Sequence, residues 1–134
     1  MQSGKPQQQQ QQQQQSSQQQ QQHKVHSGDD SITLPLMSVC GEGAIPVAGN
    51  IVPRDMIALI AAVTAGDLPL ATQLHHKLFH LCRDMLGLST NPIPIKAAMK
   101  LLGRDTGELR LPMTPLDDDG MTKLQQTLTA YGLL

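Results

Sequence analysis

The sequence predicts a mostly α chain, the helical C-terminal end of a larger α/β protein, carried behind a disordered glutamine-rich leader. Three observations predict it. From Gln7 to Gln22 there is only glutamine, broken by Ser16 and Ser17. One apolar run, Ala44-Ile45-Pro46-Val47-Ala48, is bounded by Gly43 and Gly49 and has the length of a buried strand. Everything after it repeats its apolar residues at helical spacing. A single strand followed only by helices has no sheet partner in the chain, which is the pattern of a larger fold cut short.

The leader, residues 1–26, is expected to be disordered, because a glutamine run has no apolar face whose burial could offset the entropy of ordering it. The remainder of the 134 residues is long enough for a small core. Within it Asp29, Asp30 and Ser31 are candidate caps for a short helix carrying Leu34 and Met37, held to its first turns by Pro35. Pro53 suits a first helical position, and Met56, Leu59, Ile60 and Val63 recur behind it. Gly66 and Asp67 end that helix and cap the next, so the two should pack as an antiparallel hairpin. The second helix places Leu70, Leu74, Leu78, Leu81 and Met85 on one face, with Phe79, Cys82 and Leu86 beside them. A third helix is predicted from Pro94 to Gly103, then an extended connector over Glu108–Pro112. A fourth follows Asp117 and closes at Gly132, with Leu124, Leu128 and Tyr131 inward.

Composition argues against several function classes. Ten basic residues face eleven acidic ones without a basic stripe, and Phe79 and Tyr131 are the only aromatics, so no nucleic-acid partner is expected. The longest apolar stretch, Ile57 to Val63, falls far short of the ~18 residues of a membrane span. No secretory signal is visible, and Cys40 and Cys82 have neither metal spacing nor scaffold numbers, so a cytoplasmic location is expected. His76 and His80 are four apart but fall on the far side of their helix from Leu74 and Leu78, which reads as a solvated pair and not a metal site. His23 and His26 are likewise read as solvated. Asp117-Asp118-Asp119 complements a helix dipole without needing a cation. Lys96, one turn into its helix, can snorkel to water, which disfavours a desolvated nucleophile.

Four segments in order carry a resemblance: Ser27-Gly28-Asp29-Asp30, Gly43-Ala44-Ile45-Pro46-Val47-Ala48-Gly49-Asn50, Asn91-Pro92-Ile93-Pro94-Ile95-Lys96 and Leu109-Arg110-Leu111-Pro112-Met113. From Ser27 to Leu134 the chain resembles the 4-hydroxy-tetrahydrodipicolinate synthases. That family folds as a (β/α)₈ TIM barrel followed by a small helical domain, and a barrel alone takes ~250 residues. The resemblance implies that residues 27–66 hold the end of strand seven, strand eight and its helix, and that residues 67–134 form the helical domain. It implies a pyruvate-dependent Schiff-base lyase that condenses pyruvate with aspartate semialdehyde in lysine (diaminopimelate) biosynthesis. No cofactor or metal is implied, and the family is homo-oligomeric, so self-association is expected.

The same resemblance assigns Gly28 and Ile45 to substrate binding, at strand-seven and strand-eight positions facing pyruvate. Lys96 matches the family's tail lysine and not its Schiff-base lysine, so no residue here is assigned to catalysis and the chain alone is expected to be inactive. Cys40 stands where relatives usually have glycine, and Pro46 where serine is usual. Pro46 would deny a central strand one donor. The alternative is a non-enzymatic interaction protein, in which the polyglutamine associates. A third reading has a separate chain supplying strands one to six.

Overall fold

The computed structural model describes residues 24–134, so most of the leader lies outside the described residues. Two very short strands, β1 (His26–Ser27) and β2 (Gly43–Ala44), pair in parallel, with His26 opposite Gly43 and Ser27 opposite Ala44. Between them lie a 3₁₀ turn (Asp30–Ile32) and helix α1 (Thr33–Ser38). After β2 come a second 3₁₀ turn (Ala48–Asn50) and four helices: α2 (Pro53–Thr64), α3 (Leu68–Gly87), α4 (Ile93–Leu101) and α5 (Asp118–Tyr131).

The strand prediction needs two corrections. β2, partnerless in the residue pattern, pairs with β1, a strand end that only the resemblance implied; His26, read from sequence as the leader's end, lies in that strand. The strand also ends at Ala44 and does not run to Ala48. Ile45 N–H still donates to Ser27 O at 2.8 Å, but Pro46 has no N–H to continue the ladder, and the chain turns into the 3₁₀ segment. Pro46 therefore sits beyond the paired residues and interrupts nothing. Ile45, expected to be buried in a strand, is 75% exposed.

The helices follow their local signals. Pro53 occupies the first turn of α2, where its missing N–H has no intrahelical partner to lose. Gly66 at φ +74° turns the chain, and the Asp67 side chain caps α3 by accepting from Leu70 N–H at 3.1 Å. Asp117 caps α5 through Gly120 N–H at 2.8 Å, and Gly132 at φ +90° closes it. One core joins these helices: Met56 and Leu59 from α2, Leu78, Leu81, Cys82 and Met85 from α3, Ala98 from α4, and Leu124 and Leu128 from α5. It runs across the boundary drawn from sequence at residue 66. Leu70 and Phe79, predicted to face inward, are instead partly exposed, because the buried stripe of α3 is narrower than its apolar composition.

Candidate functional site

Two chemically loaded places exist among the described residues, and the strand ends form the first. Gly28 follows β1 and Ile45 follows β2, so parallel pairing brings them to the same C-terminal edge of the sheet. The edge is tied down from below. Ser27 is buried, and its hydroxyl donates to Asp29 O at 2.6 Å. Asp30, also buried, accepts from Val47 N–H at 3.0 Å and Ala48 N–H at 2.6 Å, joining the loop after β1 to the loop after β2.

Desolvation raises the Asp30 carboxyl above its ordinary value, and the two amide donors only partly oppose that rise. A Cβ on Gly28 would meet nothing within 4 Å, so the glycine leaves open space beside the exposed Ile45 side chain. Both residues assigned from the resemblance thus lie at one edge. The Asp30 clamp that positions them was read from sequence only as a candidate helix cap. Asp29 caps the 3₁₀ turn, accepting from Ser31 N–H at 2.8 Å, whereas α1 itself, expected to be capped by one of these residues, follows Ile32 with no side-chain cap.

The second place is a polar junction of α2, α3 and α5. Asp55 Oδ2 accepts from Lys77 Nζ at 2.8 Å and from Tyr131 Oη at 2.5 Å, and Lys77 Nζ lies 5.3 Å from the Tyr131 ring centroid. The Lys77 ammonium, and then the Tyr131 hydroxyl, hold the Asp55 carboxyl below its usual range. Burial, and then the Asp55 acceptor, push the Tyr131 phenol up. Beside this junction a cleft of about 520 Å³ is bordered by Arg54 and Arg104. Sequence reasoning placed Tyr131 inward but did not find this network, whose members are far apart in the chain. With its hydrogen bonds satisfied internally, it reads as a tie between helices.

The remaining candidates separate cleanly. His76 and His80 are exposed, and no group of three His, Cys, Asp or Glu side chains converges for a metal among the described residues. Burial, and then the Asp30 and Asp29 charges, push the Cys82 thiol up to about 12, which leaves it without nucleophilic thiolate at neutral pH. Lys96 Nζ pairs with Asp105 at 3.2 Å. No helix among the described residues is long and apolar enough to cross a membrane.

The Dihydrodipicolinate synthetase family matches residues 5–131, starting inside the leader and so earlier than the Ser27 at which the four segments begin. The chain belongs to the dihydrodipicolinate synthetase family. The 4-hydroxy-tetrahydrodipicolinate synthase of Methanococcus maripaludis is 43% identical over 110 residues, 82% of this chain and 38% of the relative. That of Methanocaldococcus jannaschii is 39% identical over the same shares. The crystal structure of dihydrodipicolinate synthase from Aquifex aeolicus superposes with a TM-score of 0.81 at 40% identity, covering 84% of this chain and 38% of that one. The Thermotoga maritima structure gives 0.79 at 38% identity, covering 83% and 37%. The chain thus spans a little over a third of these relatives. Its fold is the helical, C-terminal part of a TIM-barrel family, with little strand of its own.

Proposed function

We propose that the chain contributes the strand-seven and strand-eight rim, and the helical domain behind it, to a pyruvate-dependent Schiff-base lyase of the 4-hydroxy-tetrahydrodipicolinate synthase type. In this reading residues 27–66 furnish the end of the barrel and residues 67–134 the helical domain. The observation that carries the proposal is the adjacency of Gly28 and Ile45 at the C-terminal ends of neighbouring parallel strands. Ligands of (β/α)₈ barrels bind at that end of the strands. Gly28 leaves room for a small keto acid to approach the backbone, and Ile45 offers it an apolar contact.

The chain supplies binding surface, not the nucleophile. Schiff-base chemistry needs a lysine able to lose its proton near neutral pH, usually through desolvation. Lys96 is partly exposed and ion-paired to Asp105, the setting of a structural surface lysine and not of a desolvated nucleophile. The polypeptide by itself should therefore neither condense pyruvate with aspartate semialdehyde nor form an imine. Incubation with pyruvate and borohydride, followed by mass spectrometry, should show an unmodified mass. A reduced pyruvate adduct on Lys96 would overturn this assignment of roles.

A further inference from the structure

We infer that the cleft at the junction of α2, α3 and α5 binds a small, doubly charged oxyanion, held between Arg54 and Arg104. Its volume, about 520 Å³, is that of a pocket for a small organic molecule. Arg54 stands in the first turn of α2, Arg104 in the turn after α4, and Lys77 lines the cleft from α3. Asp55 is the one carboxylate side chain on the lining, so three cations against it leave two positive charges unbalanced. The whole chain has a net charge of −1, and this local excess runs against it. Asp55 is already engaged by Lys77 and Tyr131. Among the described residues neither arginine has an ion-pair partner.

Unpaired arginines on a convex surface need no ligand. These two border one concavity, part of whose wall is the buried, apolar Ile51 and Val52, and low-dielectric walls focus the field of the charges above them. Arg104 is also fixed in place: Nη1 donates to Ile51 O at 3.0 Å, and its backbone N–H donates to Met99 O at 2.8 Å. One donor of its fork is thereby spent on position, and the others stay available to an oxyanion. A guanidinium meets carboxylate or phosphate oxygens with paired N–H bonds, so two of them match a ligand carrying two negative charges. An organic phosphate and a dicarboxylate both meet that description. No lining residue belongs to the Gly28–Ile45 rim, and binding here does not require the function proposed for it.

The test titrates the full 134-residue chain with sulfate, succinate and acetate at constant ionic strength. Amide resonances of Arg54, Asp55, Arg104 and Gly132 report binding. Sulfate stands in for a phosphoryl group and succinate for a dicarboxylate. Residue-resolved shifts are needed because sulfate also stabilises folded proteins through exclusion from their surface. The expected result is saturable shifts at those amides with a dianion, at an affinity roughly tenfold above that for acetate. The dianion that saturates first identifies the kind of ligand. Arg54→Gln alters an exposed side chain without an ion-pair partner and should weaken binding roughly fivefold with the fold unchanged. Lys24→Gln, which removes a cation outside the lining, should leave the affinity as it was. Shifts that never saturate, or acetate bound as tightly as the dianions, would overturn the proposal. Equal losses in Arg54→Gln and Lys24→Gln would do the same, reducing the effect to general charge attraction.

Discussion

Cys40 sits at φ +74°, a left-handed conformation that costs a residue with a Cβ about 1 kcal/mol and costs glycine almost nothing. The turn it makes lets Gly41 N–H reach Leu36 O at 3.0 Å and end α1. A glycine here, which the resemblance leads one to expect, would make the same turn without that cost. Cys40→Gly should raise stability by roughly 0.5–1 kcal/mol in urea unfolding. Asp30 works in the opposite sense. Its carboxylate satisfies two amides, of Val47 and Ala48, and each buried donor left without an acceptor costs about 1–3 kcal/mol. Asp30→Ala should therefore cost about 2–4 kcal/mol, more than the ~1 kcal/mol expected when Asp29 loses its cap in Asp29→Ala. Equal costs for the two variants would remove the clamp from the account of the rim.

At the level of elements, the helices were legible because their signals are local: Pro53, Asp67, Asp117 and Gly132 act within one turn of where they stand. The residue pattern alone did not reveal β1, because two residues carry no periodicity and its partner lies across an entire helix; only the resemblance implied a strand end there. Gly28 and Ile45 were assigned through resemblance, whereas the Asp30 clamp and the Asp55–Lys77–Tyr131 tie needed the fold, being contacts between distant segments. The tie predicts a pH signature. Asp55 is depressed in the folded state, so its stabilisation is complete above the unfolded carboxyl value near 3.8 and is lost as pH falls through the lower folded value. Asp30 is raised, so it contributes the other way, favouring folding as pH falls through its folded value. Tyr131→Phe isolates the first effect. It should cost about 1 kcal/mol at pH 7, at the low end for a bond to a charged group because Asp55 is partly exposed. That difference should narrow toward zero once the pH is well below the folded Asp55 value. A difference constant over the whole range would assign the loss to packing alone.

For the whole molecule, burial and strand pairing are distributed unequally, and stability should follow. The core that ties α2 to α3, α4 and α5 is built from side chains with almost no exposure, and it closes without any sheet hydrogen bond. The β1–β2 pair rests on four strand residues, with edges unpaired among the described residues and two flanking apolar side chains exposed. Backbone amides open with free energies ranging from near zero at weakly packed edges to the global value in the core. Hydrogen exchange of the chain alone should therefore show Ser27, Gly43 and Ile45 exchanging at least a hundredfold faster than Leu78 to Met85. Because the difference arises from packing near each amide, removing residues 1–22 should leave the ratio intact. Leu78→Ala should instead compress it, since a buried leucine truncated in the core costs about 2–5 kcal/mol and brings the slow amides toward the fast ones. If the strand amides proved as slow as those of α3, the pair would belong to the same cooperative unit as the helices. The strand edges could not then be treated as the weakly held side of the molecule.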